Sequence, residues 1–171
     1  MNRLISSTTM PVDVVTDVGE WYVAEGGHDR AARELFEQAA AMLLGRKTYE
    51  GLAAYWSPLK GEWANCLKFV ASRTLRGPLE WNARLLEGEV AEVVPKLKDE
   101  LDGDLILIGC GELARHLLAA GAIDELRFWV HPGLGGRGPR PSEGDTTVRL
   151  RFLDSSAFDS GVALLRYEPV E

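Results

Sequence analysis

A run of four aliphatic residues followed by two closely spaced glycines constrains the fold of this chain most. Leu105–Ile108 is apolar at every position, which is typical of a strand buried on both faces of a sheet that helices cover. Gly109 and Gly111 follow directly, and because glycine has no Cβ they allow the backbone to turn sharply. Leu113 and Leu117 then recur at helical spacing. The stretch therefore predicts a buried strand, a tight turn and a helix in direct succession.

The turn between this strand and this helix is a candidate phosphate site, because N–H groups and the positive end of the helix dipole face a ligand there. Gly109 to Ala114 also matches the G-x-G-x-x-A dinucleotide pattern. A Rossmann domain, however, carries that pattern after its first strand, with an acidic residue about 20 positions later. Here several predicted strands come first, and the later position falls near His131. The residues leave two interpretations open: a pyrophosphate site outside an ordinary Rossmann domain, or a tight connection without a ligand.

Predicted strands and helices alternate along most of the chain. Periodicity and turn residues place strands at 4–11, 42–44, 67–71, 84–86, 105–108, 126–131, 148–153 and 162–167. Helices are predicted at 28–41, 48–55, 90–101 and from 113 to a cap at Gly121, although Pro95 disfavours a regular third helix. Segment 132–144, rich in glycine and proline, predicts a flexible loop.

This order of elements predicts an α/β fold with a mixed, mostly parallel sheet. Strands that alternate with helices favour parallel pairing with helices on both faces, and the last two strands, with no helix between them, favour an antiparallel C-terminal edge. Because we find no repeat and no linker-like stretch, we expect 1–171 to be a single domain. Ligands of such sheets bind beyond the carboxyl ends of the strands.

Three of the predicted carboxyl ends carry polar or glycine-rich sequence, at 45–48, 72–74 and 109–112. Arg46, Lys47 and Thr48 place two cations and a hydroxyl at a helix N-terminus, where charge and dipole both favour a phosphate. Ser72 and Arg73 add a second guanidinium at the next strand end. Two arginines near each other suit a 2′-phosphate and so favour NADPH over NADH. Solvated surface charge is the alternative for each residue alone, whereas the three loops together favour a cofactor site.

Composition and charge exclude several classes of function. A formal net charge of −7 disfavours a general surface for nucleic acid or for anionic membranes. No apolar run approaches the roughly 20 residues that span a bilayer, and the N-terminus lacks the apolar core of a signal peptide, so we expect a cytoplasmic protein. Cys66 and Cys110 have no ligand-like spacing to the three histidines, which predicts reduced thiols and no metal site.

Five motifs, in this order and over nearly the whole chain, resemble the dihydrofolate-reductase-like superfamily. They are Leu-Leu-Gly-Arg-Lys-Thr-Tyr-Glu-Gly at 43–51, Phe-Val-Ala-Ser-Arg-Thr-Leu at 69–75, Leu-Ile-Gly-Cys-Gly at 107–111, Ile-Asp-Glu-Leu at 123–126 and His-Pro at 131–132. The chain is most similar to the branch named for the reductase domain of bacterial riboflavin biosynthesis. The resemblance implies a three-layer α/β fold, NADPH as hydride donor and, often, a homodimer.

The resemblance also assigns cofactor-binding residues, loop by loop. The first loop matches the segment that holds the adenosine-side phosphates, the second flanks the 2′-phosphate, and the third lies beside the pyrophosphate and the nicotinamide. In this chain these residues are Gly45, Arg46, Lys47, Thr48, Ser72, Arg73, Gly109, Cys110, Gly111, Glu112 and Leu113. Glu112 has an alternative role as a first-turn helix acid.

The substrate side departs from the family pattern. Members of the branch usually carry Ser-Leu-Asp-Gly after the first strand, in a mobile loop over the nicotinamide, whereas this chain has Pro-Val-Asp-Val at 11–14. Asp13 is retained and is our candidate catalytic and substrate-binding group, with a role in the loop turn as the alternative. Val14 replaces a flexible glycine with a stiffer, β-branched residue. Cys110 also stands where a glycine or small residue is common.

Aromatic residues near the second helix are candidates for the substrate wall. Tyr49 and Trp56 could flank a planar substrate, with core packing as the alternative for at least one of them. His131 ends a predicted strand and could face the pocket, or it could be a hydrogen-bonded structural histidine.

The leading hypothesis is an NADPH-dependent reductase of a small heterocyclic substrate. By resemblance, that substrate is the pyrimidine intermediate of riboflavin synthesis, 5-amino-6-(5-phosphoribosylamino)uracil. The sequence contains no His-x-Glu with Pro-Cys-x-x-Cys deaminase signature, which leaves another substrate open. The alternative is a non-catalytic or weakly active nucleotide-binding dimeric scaffold of the same fold. A true dihydrofolate reductase is disfavoured because no acid aligns with the pocket carboxylate of that enzyme.

Overall fold

The structure, a computed structural model, describes residues 2–56, 65–140 and 147–170, without the side chains of Tyr55 and Trp56. The strands are β1 (Leu4–Pro11), β2 (Ala41–Gly45), β3 (Lys68–Ala71), β4 (Ala83–Leu85), β5 (Leu105–Ile108), β6 (Glu125–His131), β7 (Arg149–Ala157) and β8 (Ala163–Val170). The helices whose bounds are described are α1 (Gly27–Glu37), α2 (Arg46–Trp56), α3 (Val90–Glu100) and α4 (Glu112–Ala119). The strands form one sheet in the order β4-β3-β2-β5-β1-β6-β8-β7.

Strand direction changes at one end of this sheet. The pairs from β4 across to β6 are all parallel, whereas β8 is antiparallel to both β6 and β7. The predicted mixed, mostly parallel sheet with an antiparallel C-terminal edge is therefore confirmed. The physical reason is the connection: a helix returns the chain to the same end of the sheet between parallel strands, and a tight turn cannot.

The sheet is covered on both faces, which gives three layers. Successive residues of a strand point to opposite faces, so Leu105 packs with α3 and α4, while Ile106 packs with Leu35 of α1. Met42 and Leu44 of β2 pack against Tyr49 of α2. Every residue of β5 up to position 107 is at most 1% exposed. The aliphatic run therefore forms the two-faced buried strand that its composition predicts.

Two helical predictions need correction. The first helix ends at Glu37 rather than at residue 41, because the Ala40 N–H donates to the Asp104 carbonyl at 2.9 Å and commits the next residue to β2. Tertiary pairing thus overrides the favourable helix propensity of a run of alanines. The second correction concerns Pro95, which in the sequence disfavours a regular third helix. In the structure, α3 is helical from Val90 to Glu100, with Pro95 in its second turn.

The strands of the final hairpin are longer than the alternation of apolar and polar residues predicts. β7 runs to Ala157, so the connection to β8 is a tight turn and not the segment 154–161. The turn is closed by the Phe158 N–H, which donates to the Val162 carbonyl at 2.9 Å. A bulge between Phe152 and Asp154 disrupts the alternating pattern in β7, and this irregularity explains why the sequence pattern ends early.

Candidate active site

A step in the carboxyl edge of the sheet shapes the candidate site. β5 ends at Ile108, opposite Ser7 of β1, whereas β1 continues to Pro11 and is paired there with His131 at the end of β6. At a rise of about 3.3 Å per residue, the four further residues of β1 extend roughly 13 Å beyond the end of β5. The turn after β5 therefore lies at the foot of a wall formed by β1 and β6.

The predicted cofactor loops are neighbours at the foot of this wall. Gly45 pairs with Ala71 across β2 and β3, and Leu44 pairs with Ile108 across β2 and β5. The three loops at 45–48, 72–74 and 109–112 therefore leave adjacent strands at the same edge. Their convergence follows from the strand order, which the sequence did not specify.

Two of these loops also touch each other. Gly109 has φ +94°, and a Cβ at this position would lie 3.3 Å from the Thr48 hydroxyl oxygen. A Cβ on Gly45 would lie 3.9 Å from the Cβ of Leu113. At Gly111, which precedes α4, a Cβ would meet no atom within 4 Å. The glycine turn is thus packed against the start of α2 at Gly109 and is open at Gly111, before the N-terminus of α4.

Cations surround the N-terminus of α2. Arg46 and Lys47 are its first two residues and are exposed, and Arg46 lies 3.9 Å from Glu50 one turn along the helix. Arg73 is exposed on the neighbouring loop, whose shape is set by the Ser72 hydroxyl. Positive side chains, two helix N-termini and open space at the glycine turn are together suited to the phosphates of a dinucleotide.

The loop of Ser72 is ordered by that side chain. The Ser72 Oγ accepts hydrogen bonds from the N–H groups of Thr74 and Leu75 at 3.2 and 3.0 Å. This is a local turn of the kind that serine hydroxyls stabilise. Its consequence is that the backbone presenting Arg73 is held next to the end of β2.

Cys110 lies where the glycine turn meets the β1 wall. Its thiol is partly buried, and the nearby Thr16 hydroxyl donates to the Pro139 carbonyl at 3.2 Å. Burial raises the pKa of the Cys110 thiol, an effect that the side chains of Thr16, Arg115 and Thr8 partly offset. The thiol is therefore protonated at neutral pH. Glu112 is exposed in the first turn of α4, a place consistent with either of its predicted roles.

Asp13 connects two loops. Its carboxylate accepts hydrogen bonds from the N–H groups of Gly135 and Gly136, both at 2.8 Å. These bonds lower the pKa of the carboxyl group below its ordinary value, so Asp13 is ionised at neutral pH and is a poor proton donor there. These contacts are those of the loop-turn alternative, and the catalytic and substrate-binding roles of Asp13 stay predictions.

The residue after Asp13 has an unusual backbone conformation. Val14 has φ +60°, and its N–H donates to the Pro11 carbonyl at 3.0 Å across a tight turn. A β-branched residue is strained in this left-handed region, where glycine is not. The geometry explains why a glycine is usual at this place in the family pattern.

The two aromatic candidates for the substrate wall are Tyr49 and Trp56, both on α2. Tyr49 is 7% exposed and packs in the core, where its hydroxyl donates to the Glu80 carbonyl at 3.2 Å and accepts from the Glu80 N–H at 3.1 Å. Core packing, the alternative for this residue, describes its position. Trp56 ends α2, and its side chain lies outside the described residues.

We call residues 12–26 the β1–α1 loop and residues 132–140 the β6–β7 loop. They are joined by the N–H of Val12, which donates to the Gly133 carbonyl at 3.0 Å, and by the N–H of Thr16, which donates to the Pro139 carbonyl at 2.9 Å. A Cβ on Gly133 would lie 2.7 Å from the Cβ of Trp21. Gly133 therefore permits close approach of the two loops, and positions 141–144 of the loop predicted at 132–144 lie outside the described residues.

A cavity of about 330 Å³ lies between these loops. Among the residues that line it are Val15, Asp17, Trp21, Leu134 and Arg137. Because acidic and basic groups both border it, its charge selects no single class of ligand.

Two buried histidines complete this side of the site. His131 is 1% exposed, and its Nδ1 accepts the Val23 N–H at 3.0 Å. His28, at the start of α1, is also buried and contacts the Val23 carbonyl. Desolvation, and secondarily the nearby His28, lower the pKa of His131 to about 4. His131 is thus the hydrogen-bonded structural histidine. Sequence reasoning missed His28, whose place in the first turn of an amphipathic helix carries no signal of this contact.

No helix in the described part of the chain has the length and apolar composition to cross a bilayer. Within residues 2–56, 65–140 and 147–170, no group of three His, Cys, Asp or Glu side chains is placed to hold a metal ion.

The arrangement is similar to that of solved bacterial proteins. A protein from Shewanella sp. PV-4, whose name assigns it provisionally to riboflavin biosynthesis, superposes with a TM-score of 0.80 at 17% identity over 99% of both chains. RibD from Acinetobacter baumannii gives a TM-score of 0.70 at 17% identity, covering 99% of this chain and 58% of that chain. The deaminase and 5-amino-6-(5-phosphoribosylamino)uracil reductase of Thermotoga maritima gives 0.71 at 14% identity, covering 99% and 57%. These likenesses establish the fold.

Sequence comparison identifies the family. The uncharacterized protein YyaP of Bacillus subtilis strain 168 is 30% identical over 101 residues, which are 58% of this chain. The chain spans about half the length of that relative, 53%. The model of the RibD C-terminal domain matches residues 4–164, nearly the whole chain. By this match, and with the dihydrofolate-reductase-like sheet described above, the chain belongs to the RibD C-terminal domain family.

Proposed function

We propose that this protein is an NADPH-dependent reductase of a small heterocyclic substrate, with 1–171 acting as one reductase-like domain. The observation that carries the proposal is the meeting of three loops, at 45–48, 72–74 and 109–112, on adjacent strand ends. They combine three cations, two helix N-termini and a glycine turn that is open to a ligand. This combination suits a dinucleotide with a 2′-phosphate.

In this proposal, each loop holds a different part of the cofactor. Gly45, Arg46, Lys47 and Thr48 bind the adenosine-side phosphates at the N-terminus of α2. Ser72 and Arg73 flank the 2′-phosphate, and a planar guanidinium suits its oxygens. Gly109, Cys110, Gly111, Glu112 and Leu113 lie along the pyrophosphate and the nicotinamide. This assignment agrees with the family resemblance and with the exposure of the cations.

The substrate side is the step between the end of β5 and the wall of β1 and β6. When bound, NADPH supplies the hydride. The chain contributes a protic group at the step, the Cys110 thiol, which keeps its proton because its pKa is raised. Asp13 and its partners in the β6–β7 loop position the loop that carries Thr16. The RibD neighbours support 5-amino-6-(5-phosphoribosylamino)uracil or a related pyrimidine as substrate.

A second candidate is a nucleotide-binding scaffold with little or no turnover. It is favoured by the engagement of Asp13 in backbone hydrogen bonds and by the strained backbone of Val14 in the same loop. A true dihydrofolate reductase is less favoured, because no described carboxylate of α1 is established as a proton donor in the pocket.

Cofactor titration tests the proposal. We expect saturable binding of NADPH, tighter than that of NADH, by quenching of tryptophan fluorescence. Arg46→Ala and Arg73→Ala should each weaken NADPH more than NADH, since a lost guanidinium–phosphate contact costs about 1.5–3 kcal/mol. Arg33→Ala is the matched control, because Arg33 pairs with Asp29 on α1. Equal losses for both dinucleotides would reject the 2′-phosphate assignment.

Single-turnover oxidation of bound NADPH separates the two candidate functions. The pyrimidine substrate of the Thermotoga reductase and dihydrofolate are the substrates to compare. Oxidation by the pyrimidine supports the reductase. Tight NADPH binding without oxidation by either compound favours the scaffold, and absence of binding of either dinucleotide rejects both.

We further propose that the protein is a cytoplasmic homodimer. Every residue of the edge strand β7 is exposed, Phe152 by 55%. Phe152 and Tyr167 stack edge to face at 5.7 Å on a sheet face beyond the core built with α3 and α4. An exposed apolar edge of this kind favours a partner. Light scattering should give a dimer, Phe152→Ser should shift it toward monomer, and an unchanged mass would reject this surface.

A further inference from the structure

The β1–α1 loop is attached at both ends to other parts of the protein. Near its start, the Asp13 carboxylate binds two N–H groups of the β6–β7 loop. Near its end, both peptide groups of Val23 are bound by histidines: its N–H donates to His131, and its carbonyl contacts His28. Between these attachments lies Thr16, whose hydroxyl and N–H both donate to the Pro139 carbonyl, at 3.2 and 2.9 Å, and whose side chain is near enough to Cys110 to lower the pKa of its thiol. The placement of Thr16 at the step thus depends on how the loop is held.

The contacts of Val23 determine the tautomers of both histidines. A carbonyl oxygen only accepts, so the His28 Nε2 carries the hydrogen and donates it to the Val23 carbonyl at 2.9 Å. The His28 Nδ1 then accepts from the Ser160 hydroxyl at 2.8 Å. The Val23 N–H donates to the His131 Nδ1 at 3.0 Å, so in the neutral ring Nε2 carries the hydrogen. We call His28, His131 and Val23 the histidine clamp.

The clamp connects several separate segments. His131 ends β6, His28 is the second residue of α1, and Ser160 belongs to the β7–β8 turn. The histidine rings meet edge to face at 5.4 Å, and Tyr22 stacks on His131 at 5.0 Å. Close packing supports the same joint, because a Cβ on Gly26 would lie 2.7 Å from the Ser160 Cβ. The end of the β1–α1 loop is therefore fixed to β6, α1 and the final hairpin together.

We propose that His28 and His131 are positioning residues, which hold the β1–α1 loop over the substrate side of the cleft through the peptide groups of Val23. Neither residue belongs to the loops assigned to the cofactor. Their effect reaches the step through the backbone from Val23 back to Thr16. This inference rests on the proposed function, because it assigns the substrate side of the same cleft.

The proposal predicts a separation between cofactor binding and turnover. His131→Leu removes the acceptor for the Val23 N–H, and His131→Asn restores an acceptor close to the position of Nδ1. We expect His131→Leu to increase amide exchange of Val23 at least about tenfold, the size expected for one lost buried hydrogen bond. It should reduce single-turnover oxidation of NADPH by a similar factor and change NADPH affinity less than about twofold. His131→Asn should recover most of both losses.

The control and the second variant keep the test decisive. His116→Leu changes an exposed histidine of α4 and should leave all three measurements unchanged. Ser160→Ala removes the hydroxyl that donates to the His28 Nδ1 and leaves the three residues of the clamp unchanged. It should increase Val23 exchange and reduce turnover, each by less than His131→Leu does, and it replaces that variant if His131→Leu does not fold. Unchanged turnover with faster Val23 exchange, or an equal loss of NADPH affinity and turnover, would reject the positioning role.

The exchange measurement also separates this inference from the proposed function. Val23 protection is measured without any dinucleotide. If His131→Leu leaves it unchanged, the clamp is rejected even where wild-type protein reduces its substrate. If the wild type neither binds NADPH nor turns over, the reductase proposal and the positioning role fail together, while exchange of Val23 still reports on the clamp as a structural contact.

Discussion

Thr48 and Gly109 meet where two of the candidate cofactor loops touch. The Thr48 hydroxyl lies 3.3 Å from the place that a Cβ of Gly109 would occupy, and Gly109 has φ +94°. Both the space and the backbone conformation therefore select glycine. The contact joins the start of α2 to the turn after β5, and a change at either residue affects both loops.

Gly109→Ala should lower the free energy of unfolding by about 1–3 kcal/mol, because a side chain is strained at this φ. It should also weaken NADPH binding by displacing Thr48. Urea denaturation and fluorescence titration measure the two effects. Gly111→Ala is the matched control for stability, since a Cβ there meets open space, and it should stay within about 0.5 kcal/mol of wild type. Equal stability of the two variants would contradict the assigned role of the contact.

Val14→Gly should raise the free energy of unfolding by about 1 kcal/mol. Relief of the strain at φ +60° is worth about 1–3 kcal/mol, and the greater freedom of glycine in the unfolded chain offsets part of it. Val12→Gly is the control in the same loop, where no strain is relieved, and should cost about 0.4–1 kcal/mol. Thermal denaturation compares them, and a destabilised Val14→Gly would show that the left-handed backbone stores no strain.

Protonation of His131 should make stability fall in mild acid. Its pKa is about 4 in the folded protein and 6.5 ordinarily, so between these values the unfolded state binds the extra proton and stability rises with pH. The titratable groups facing His131 in the described residues are His28 and Tyr22. We expect a loss of roughly 3 kcal/mol from about pH 6.5 down to pH 4. Urea denaturation across this range measures it.

Substitution assigns that slope to one residue. His131→Asn should flatten the dependence between about pH 4 and 6.5, because the amide does not titrate. His116→Asn, on the exposed face of α4, should keep the wild-type slope. A slope that survives His131→Asn would assign the effect to other groups.

Asp13→Ala should loosen the β6–β7 loop. Loss of the carboxylate leaves the Gly135 and Gly136 N–H groups without their acceptor, so their amide exchange should accelerate by about tenfold. Because the pKa of Asp13 is lowered, its stabilisation is present above the ordinary carboxyl pKa and is lost as pH falls through the folded value. Asp17→Ala, an exposed acid of the same loop, is the control. Slow exchange in Asp13→Ala would refute the connection.

Much of the fold could be predicted from local pattern. The run at 105–108 has no polar position, which is typical of a strand buried on both faces, and the alternation of strands with helices favours parallel pairing. Element ends were less predictable: the first helix stops at Glu37 because the Ala40 N–H pairs with Asp104, a residue remote in sequence. No local pattern contains that partner.

The candidate site divides in the same way. The loops with Arg46, Arg73 and Gly109 carry their chemistry in consecutive residues, so charge, glycine and helix start are visible in the sequence. Asp13 was visible as a polar residue, but its partners were not, and the structure commits its carboxylate to the β6–β7 loop. His28 gave no signal, because its role consists of a contact with Val23 and Ser160.

The sequence by itself determined the class of fold, the three phosphate-suited loops and the position of the glycine turn, because each depends on residues that are neighbours along the chain. Only the tertiary structure decided that β5 stops beside a β1 that continues to Pro11, which makes the step of the cleft. It also decided that His131 binds the backbone of Val23. Both depend on strand order and register, and the free energy that sets them comes from packing between segments distant in sequence.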